Sequence, residues 1–277
     1  MEYKILNNGV KMPIIGFGLY KVSKEDAYRV VSDAISVGYR LFDCAQRYGN
    51  EEEVGQAIKD SGIDRSEFFI TTKVWITNAK EEDAYRSVIE SMEKLQVDYL
   101  DLVLVHEPYN DYYGTYRALT RLYEEGKVRA IGVSNFYPDR VVDIVRFNKI
   151  TPQVNQVETH VFNQQIYAHE IMRQYGVHHQ AWSPLASGRN NLLYNEKLTN
   201  IGKKYNKSAA QVALRYLLDL GVSVVVKSTH KERMAENIDI LDFFLTNEEL
   251  EEIHSLNENT SVMFNHTDPE TIEYLMR

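Results

Sequence analysis

Apolar positions along this chain keep changing their spacing. Between 24 and 37, Ala27, Val30, Val31, Ala34 and Ile35 recur every three or four residues, one face of a helix that Ser23 is placed to cap. Between 39 and 43, Tyr39, Leu41 and Phe42 form a short bulky run that suits a strand. The same switch recurs. It predicts strands over 14–20, 39–43, 68–73, 100–106, 128–133, 153–158, 177–182 and 222–227. Helices are predicted over 24–37, 51–61, 80–95, 112–125, 138–147, 163–175, 194–205, 208–219, 231–240 and 246–255. Asn50 reads as the N-cap of the helix at 51–61, with Glu51, Glu52 and Glu53 in its first turn and a capping-box carboxylate three residues on. Gly126 and Gly176 stop two others. At the start, 3–6 and 10–13 flank Asn7-Asn8-Gly9, the residues of a tight hairpin turn.

From residue 14 each strand is followed by a helix, and several strands are apolar runs rather than alternating ones, as parallel strands covered by helices are. In a chain of 277 residues this pattern predicts an α/β fold: a closed (β/α)8 TIM barrel. It carries an N-terminal β-hairpin and a short C-terminal tail, in a single domain over 1–277. An open dinucleotide-binding sheet would carry a glycine-rich first turn. Gly16-Phe17-Gly18 starts one, but Lys21 stands where the third glycine belongs, so that fingerprint fails. The tail to Arg277 is polar and short, and a large loop closing over hydrophobic substrates is not expected.

A formal charge of −9 argues against a nucleic-acid or anionic-membrane surface but leaves room for a local basic pocket. Cys44 is the one cysteine, so no internal disulfide can form. No signal-peptide pattern and no apolar run near the ~20 residues of a membrane span is present. A cytoplasmic monomer is expected, with no HExxH or CxxC spacing for a metal. His178 and His179 are adjacent on a strand, cannot face the same way, and read as structural.

Chemistry enters at the strand ends. Asp43, Lys73 and His106 each follow an apolar run, and Tyr48 lies on the loop after Asp43. A barrel projects such residues into one mouth. There Lys73 would favour the Tyr48 phenolate and lower its pKa, Asp43 would orient Lys73, and His106 would hydrogen-bond a substrate oxygen. That set can protonate a developing alkoxide but lacks a hydride, which a cofactor must supply.

The segments FDCAQRYGNEEEVG (42–55), TTKVW (71–75), LVLVHEP (102–108), GKVRAIGVSNF (126–136), VNQVE (154–158), AWSPLASG (181–188) and VKSTHKERMAEN (226–237) occur in the order of one family, and in them the chain resembles an aldo-keto reductase. The resemblance implies reduction of an aldehyde or ketone with NADP(H), with Tyr48 as general acid and Asp43, Lys73 and His106 completing a tetrad. It implies that Ser134, Asn135 and Gln156 bind the nicotinamide amide and that Trp182, usually tyrosine, stacks on the ring. Ser183, Leu185 and Ser187 would follow the pyrophosphate. Lys227, Ser228, Thr229 and Arg233 would hold the 2′-phosphate, and Glu236 and Asn237 the adenine. Gly18 and Leu19 are further cofactor-binding candidates, and Tyr20, Trp75, His106 and Glu107 are substrate-binding candidates. A strand-end lysine followed by cations at a helix start suits a phosphate ester on its own physics, which favours NADP over NAD.

The chain departs from the pattern in three places. Cys44 replaces a threonine, and Val225-Val226-Lys227 lacks the usual proline. Glu107 follows the histidine where some members carry tryptophan, making the mouth more polar. Tyr109, Tyr112, Tyr113 and Tyr116 either line the mouth or start a helix with surface aromatics. Two rival activities use the same fold. A cofactor-sensing regulatory subunit would need a docking surface or an added N-terminal segment, and the chain starts a few residues before its hairpin. A lyase would use Lys73 as a Schiff-base nucleophile, beside which Asp43 and Tyr48 fit poorly.

Overall fold

The structure is a computed structural model and describes residues 2–276. Its first two strands, β1 (Tyr3–Ile5) and β2 (Lys11–Pro13), pair antiparallel around a turn in which Gly9 takes a φ of 86°. Eight parallel strands then close a barrel: β3 (Ile15–Gly18), β4 (Leu41–Asp43), β5 (Phe69–Val74), β6 (Leu102–Val105), β7 (Ile131–Ser134), β8 (Val154–Glu158), β9 (His178–Trp182) and β10 (Ser223–Val226), with β10 hydrogen-bonded back to β3. Seven of these eight strands are shorter than predicted by one to three residues, at their ends, where the backbone turns out of the ladder, and β5 keeps its predicted length one residue further on.

Around the barrel lie α1 (Lys24–Ser36), α2 (Glu51–Asp60), α3 (Glu81–Leu95), α4 (Tyr112–Glu124), α5 (Pro138–Phe147), α6 (Ile166–Gln174), α7 (Glu196–Tyr205), α8 (Ala209–Asp219) and α9 (Lys231–Ile238). Two further helices follow, α10 (Asn247–His254) and α11 (Pro269–Leu275). Ser23 caps α1 as expected, accepting from the Asp26 amide at 3.2 Å. Asn50 does not cap α2. Its carboxamide instead donates to the carbonyls of Leu19 (3.2 Å) and Val22 (3.0 Å), tying the β3 loop to the β4 loop. The capping box read at Asn50 and Glu53 is therefore not formed, because the buried loop carbonyls claim the cap side chain.

Side chains alternate across each strand, and this sorts the barrel into layers. Leu41, Phe69, Leu102, Leu104, Val154 and Val225 face inward and pack on Leu6 and Met12 of the hairpin, which plugs the floor. Their alternates Phe42, Ile70, Val103 and Val105 face outward, into the shell shared with the helices. Two residues further up the inward-facing positions, Leu41 gives way to Asp43, Thr71 to Lys73 and Leu104 to His106. The period of two thus carries the chemistry to the carboxyl rim above an apolar floor.

Candidate active site

Lys73 is the centre of the rim. Its side chain is 1 % exposed, and its ammonium donates to Asp43 Oδ2 (2.6 Å), to the Cys44 carbonyl (3.1 Å) and to the Tyr48 phenol oxygen (3.3 Å). Asp43 Oδ1 accepts from Gln156 Nε2 at 2.8 Å, and Gln156 also donates to Gln180 Oε1 at 2.8 Å. The acid is therefore locked from below by an amide pair on β8 and β9. Cys44 is fully buried, and burial pushes its thiol well up, as suits a packing residue.

Tyr48, on a short turn Gln46–Tyr48 after β4, is half-buried and packs edge-on to the His106 ring at 5.9 Å between centroids. Burial pushes its phenol well above the ordinary range, and the Asp43 carboxylate adds to the rise. The expected depression by Lys73 is reversed. Burial and the Asp43 carboxylate outweigh the ammonium, which lies 3.3 Å from the phenol oxygen. Burial, reinforced by the Lys73 charge, pushes the His106 imidazole well down, so it is neutral at pH 7, and its Nδ1 is buried without a partner. Trp75 packs against the same imidazole at 5.0 Å, and the half-exposed Tyr20 covers Tyr48 at 5.3 Å. Gly18 and Leu19 border Asp43, Gly18 by register and Leu19 through its amide to the Asp43 carbonyl at 3.2 Å.

The structure brings the nicotinamide candidates to one side of this rim. Ser134 Oγ donates to the Gln156 carbonyl (2.9 Å), and Asn135 donates to the His106 carbonyl (3.3 Å) and to Glu107 Oε1 (3.0 Å). Trp182 donates its indole N–H to Asn135 Oδ1 at 2.8 Å, and its ring lies parallel to Phe264 at 6.3 Å. Next to it Ser183, Ala186, Ser187 and Gly188 have φ between 50° and 74°, and the Ser183 and Ser187 hydroxyls meet at 3.0 Å. The turn closes on itself around Leu185, the Ala186 and Gly188 amides donating to the Ser183 and Leu185 carbonyls at 2.8 and 2.9 Å, and leaves the paired serine hydroxyls as its polar groups.

Lys227 follows β10, exposed. Ser228 Oγ accepts from the His230 amide (3.1 Å), Thr229 is half-buried, and Arg233 is exposed in the first turn of α9. Among the described residues neither Lys227 nor Arg233 is tied to a carboxylate, whereas Lys231 lies 3.8 Å from Asp33. A free pair of cations beside a hydroxyl fits a phosphate ester. Glu236 accepts from the Ser208 hydroxyl and Asn237 is buried, so both are held by α8 and the α9 core rather than free at the surface.

The tail is where the sequence reading falls short. It crosses the rim rather than leaving it open. Glu158 at the end of β8 anchors it, accepting from Ser261 Oγ (2.5 Å) and the Val262 amide (2.9 Å). Beyond that anchor His266 is 5 % exposed, facing Glu107, Tyr137 and Tyr109, and its ring packs on Phe264 at 4.6 Å. The apolar run Val262-Met263-Phe264, with a histidine two residues on, was the available signal. The tyrosine run divides: Tyr109 reaches this strap, whereas Tyr116 is buried in α4 and donates to the Ile150 carbonyl at 3.0 Å. His178 bonds Ser223 (2.9 Å) inside the barrel and His179 bonds Thr159 (2.8 Å) outside it, the opposite facing expected of neighbours on a strand.

A closed parallel barrel with its polar groups gathered at the carboxyl rim belongs to the class of barrel enzymes that bind small molecules in that mouth. Comparison gives the family. The Aldo/keto reductase family model matches residues 14–258, and the chain belongs to that family of oxidoreductases. It is 46 % identical over 259 residues to a glyoxal reductase of Bacillus subtilis, covering 93 % of each chain. It superposes on an aldo-keto reductase from a Medee basin deep-sea metagenome library with a TM-score of 0.93, at 42 % identity over 96 % of this chain and 98 % of that one. A Bombyx mori aldo-keto reductase in complex with NADP gives a TM-score of 0.90 at 32 % identity, over 98 % and 96 % of the two chains.

Proposed function

We propose that this chain reduces an aldehyde or ketone to the alcohol with NADPH, and that Tyr48, Lys73, Asp43 and His106 carry the proton chemistry. The observation that carries this reading is the triple hydrogen bonding of Lys73, which joins Asp43, the β4 backbone and the Tyr48 hydroxyl in one buried unit. NADP in the Bombyx mori relative, the paired hydroxyls of Ser183 and Ser187 and the free cations Lys227 and Arg233 support the cofactor. When bound, the reduced nicotinamide supplies the hydride.

The roles of the side chains follow from their surroundings. Tyr48 is protonated throughout the neutral range and so is a ready donor to the oxygen that gains charge. Lys73 stabilises the phenolate left behind, and Asp43 holds the Lys73 nitrogen in place at 2.6 Å. His106, neutral, orients the substrate oxygen by a hydrogen bond. The geometry speaks against a Schiff-base role for Lys73, since its nitrogen is taken up by a carboxylate at 2.6 Å, a backbone carbonyl at 3.1 Å and the Tyr48 hydroxyl at 3.3 Å. The same reading takes 1–277 as one domain acting as a cytoplasmic monomer. The lone, fully buried Cys44 supports the compartment, and no helix of the described residues is long and apolar enough to cross a membrane.

Tyr48→Phe tests the mechanism. It is expected to keep NADPH binding, measured by fluorescence titration, and to lose at least ~100-fold in kcat on a carbonyl substrate. Turnover close to that of the parent would remove Tyr48 from the role of acid.

A further inference from the structure

Under the rim lies a buried amide to which no role has yet been given. Gln180 on β9 is 0 % exposed and is the register partner of Gln156 on β8, itself 2 % exposed. A buried amide is costly unless its polar atoms find partners. Among the described residues the Gln180 nitrogen meets only the Met12 sulfur, at 3.8 Å, a weak acceptor. The Gln180 oxygen is the well-placed end, and it accepts from Gln156 Nε2 at 2.8 Å.

That bond decides how Gln156 is turned. Asp43 Oδ1, on β4, accepts from the same nitrogen at 2.8 Å. β4 and β8 stand four strands apart in the ring of eight, so this contact spans the width of the barrel. A carboxylate oxygen and an amide oxygen both accept, so both call for the nitrogen end of Gln156. Its two N–H groups are thereby engaged and Oε1 is left over. Among the described residues no protein group donates to that oxygen. The Asn135 carboxamide, by contrast, is engaged at both ends, Nδ2 with the His106 carbonyl and Glu107, and Oδ1 with Trp182.

We propose that Gln180 is a positioning residue. By accepting one N–H of Gln156 it fixes the orientation of that carboxamide, which holds the Asp43 carboxylate with its other N–H and offers Oε1 to the amino group of the nicotinamide amide. One buried acceptor on β9 thus serves both sides of the reaction, the acid that steadies Lys73 and the seat of the nicotinamide. Without it the second N–H of Gln156 is buried unpaired. The carboxamide then turns about its last torsion to pair that N–H, and takes both Oε1 and the Asp43 contact out of line. The inference rests on the NADP(H) reading above and adds a residue to it.

NADP and its 3-acetylpyridine analogue test it, since they differ only by a methyl group in place of the amide NH2. Quenching of the protein's tryptophan fluorescence gives a dissociation constant for each. Their ratio within one protein cancels what the two nucleotides share. The wild type is expected to bind NADP about 3- to 10-fold more tightly than the analogue. Gln180→Leu and Gln180→Met are expected to lose that preference, and Gln180→Glu, which keeps an acceptor oxygen, to recover it. On a carbonyl substrate, kcat is expected to fall about 10-fold in the two apolar variants and to return in Gln180→Glu. A thermal melt checks that each variant is folded. A wild type that does not distinguish the nucleotides, a preference unchanged in the apolar variants, or an equal weakening of both nucleotides overturns the positioning role and leaves the reductase reading in place. A kcat within about 2-fold of the wild type in the apolar variants removes Asp43 from the chain of contacts. A folded wild type that binds neither nucleotide overturns the cofactor reading and this inference together.

Discussion

Lys73 is an ammonium in a place where an isolated charge is very costly, and Asp43 at 2.6 Å makes it tolerable. Lys73→Met leaves the Asp43 carboxylate buried with Gln156 as its side-chain partner. This variant is expected to lose about 3–5 kcal/mol in urea unfolding, as breaking a buried pair does, as well as losing turnover. An unchanged unfolding midpoint would mean that the pair is open to water. The interior histidines set a second expectation. Burial lowers His178 to about 3, whereas the unfolded chain titrates near ~6.5. Below ~6.5 the unfolded state therefore binds a proton that the folded state refuses, so stability is complete above that pH and is lost as pH falls towards the folded value. Between pH 7 and pH 5 this amounts to about 2 kcal/mol for one group. His178→Gln is expected to remove that share of the acid sensitivity in paired urea titrations, and an identical pH slope would contradict a buried neutral His178.

Among the elements, α2 and α3 meet where a glycine lets them. A Cβ built on Gly55 would lie 2.5 Å from the Leu95 carbonyl carbon and oxygen, backbone atoms at the end of α3 that cannot swing aside. Gly55→Ala is therefore expected to destabilise the fold by about 1–3 kcal/mol despite the better helix propensity of alanine. Thermal unfolding measures it, and a rise in Tm would show that the helices separate freely. α2 follows directly on the loop of Asp43 and Tyr48, so this contact also bears on the rim. The strap is the opposite kind of element. It has no period of its own and is held by Glu158, by the Arg189 guanidinium on the Val262 carbonyl, and by Phe264 against Trp182.

Over the whole molecule a net charge of −9 coexists with uncompensated cations at Lys227 and Arg233. The surrounding negative field repels a nucleotide, so local cations matter more than their number implies. Lys227→Ala combined with Arg233→Ala is expected to weaken NADPH on the order of 10- to 100-fold and NADH far less. In the parent protein, raising the salt concentration is expected to weaken NADPH more than NADH. Fluorescence titrations with both nucleotides check this, and equal losses would refute a 2′-phosphate pocket.

Local sequence was enough for the alternation of strands and helices, the hairpin, and the polar residues that end β4 and lead out of β6, because periods of two and of three to four residues are properties of neighbouring positions. Family resemblance added the proposed site roles, and the structure draws Asp43, Tyr48, Lys73 and His106 to one rim. Tertiary packing alone decided the rest. Asn50 was drawn from its cap by two loop carbonyls 28 and 31 residues away. The Tyr48 phenol rose rather than fell because burial, reinforced by the Asp43 carboxylate, set its direction. His266 reached Glu107 across 159 positions of chain, a meeting that no local pattern encodes, since it depends on the barrel closing and on Glu158 turning the tail back over the mouth.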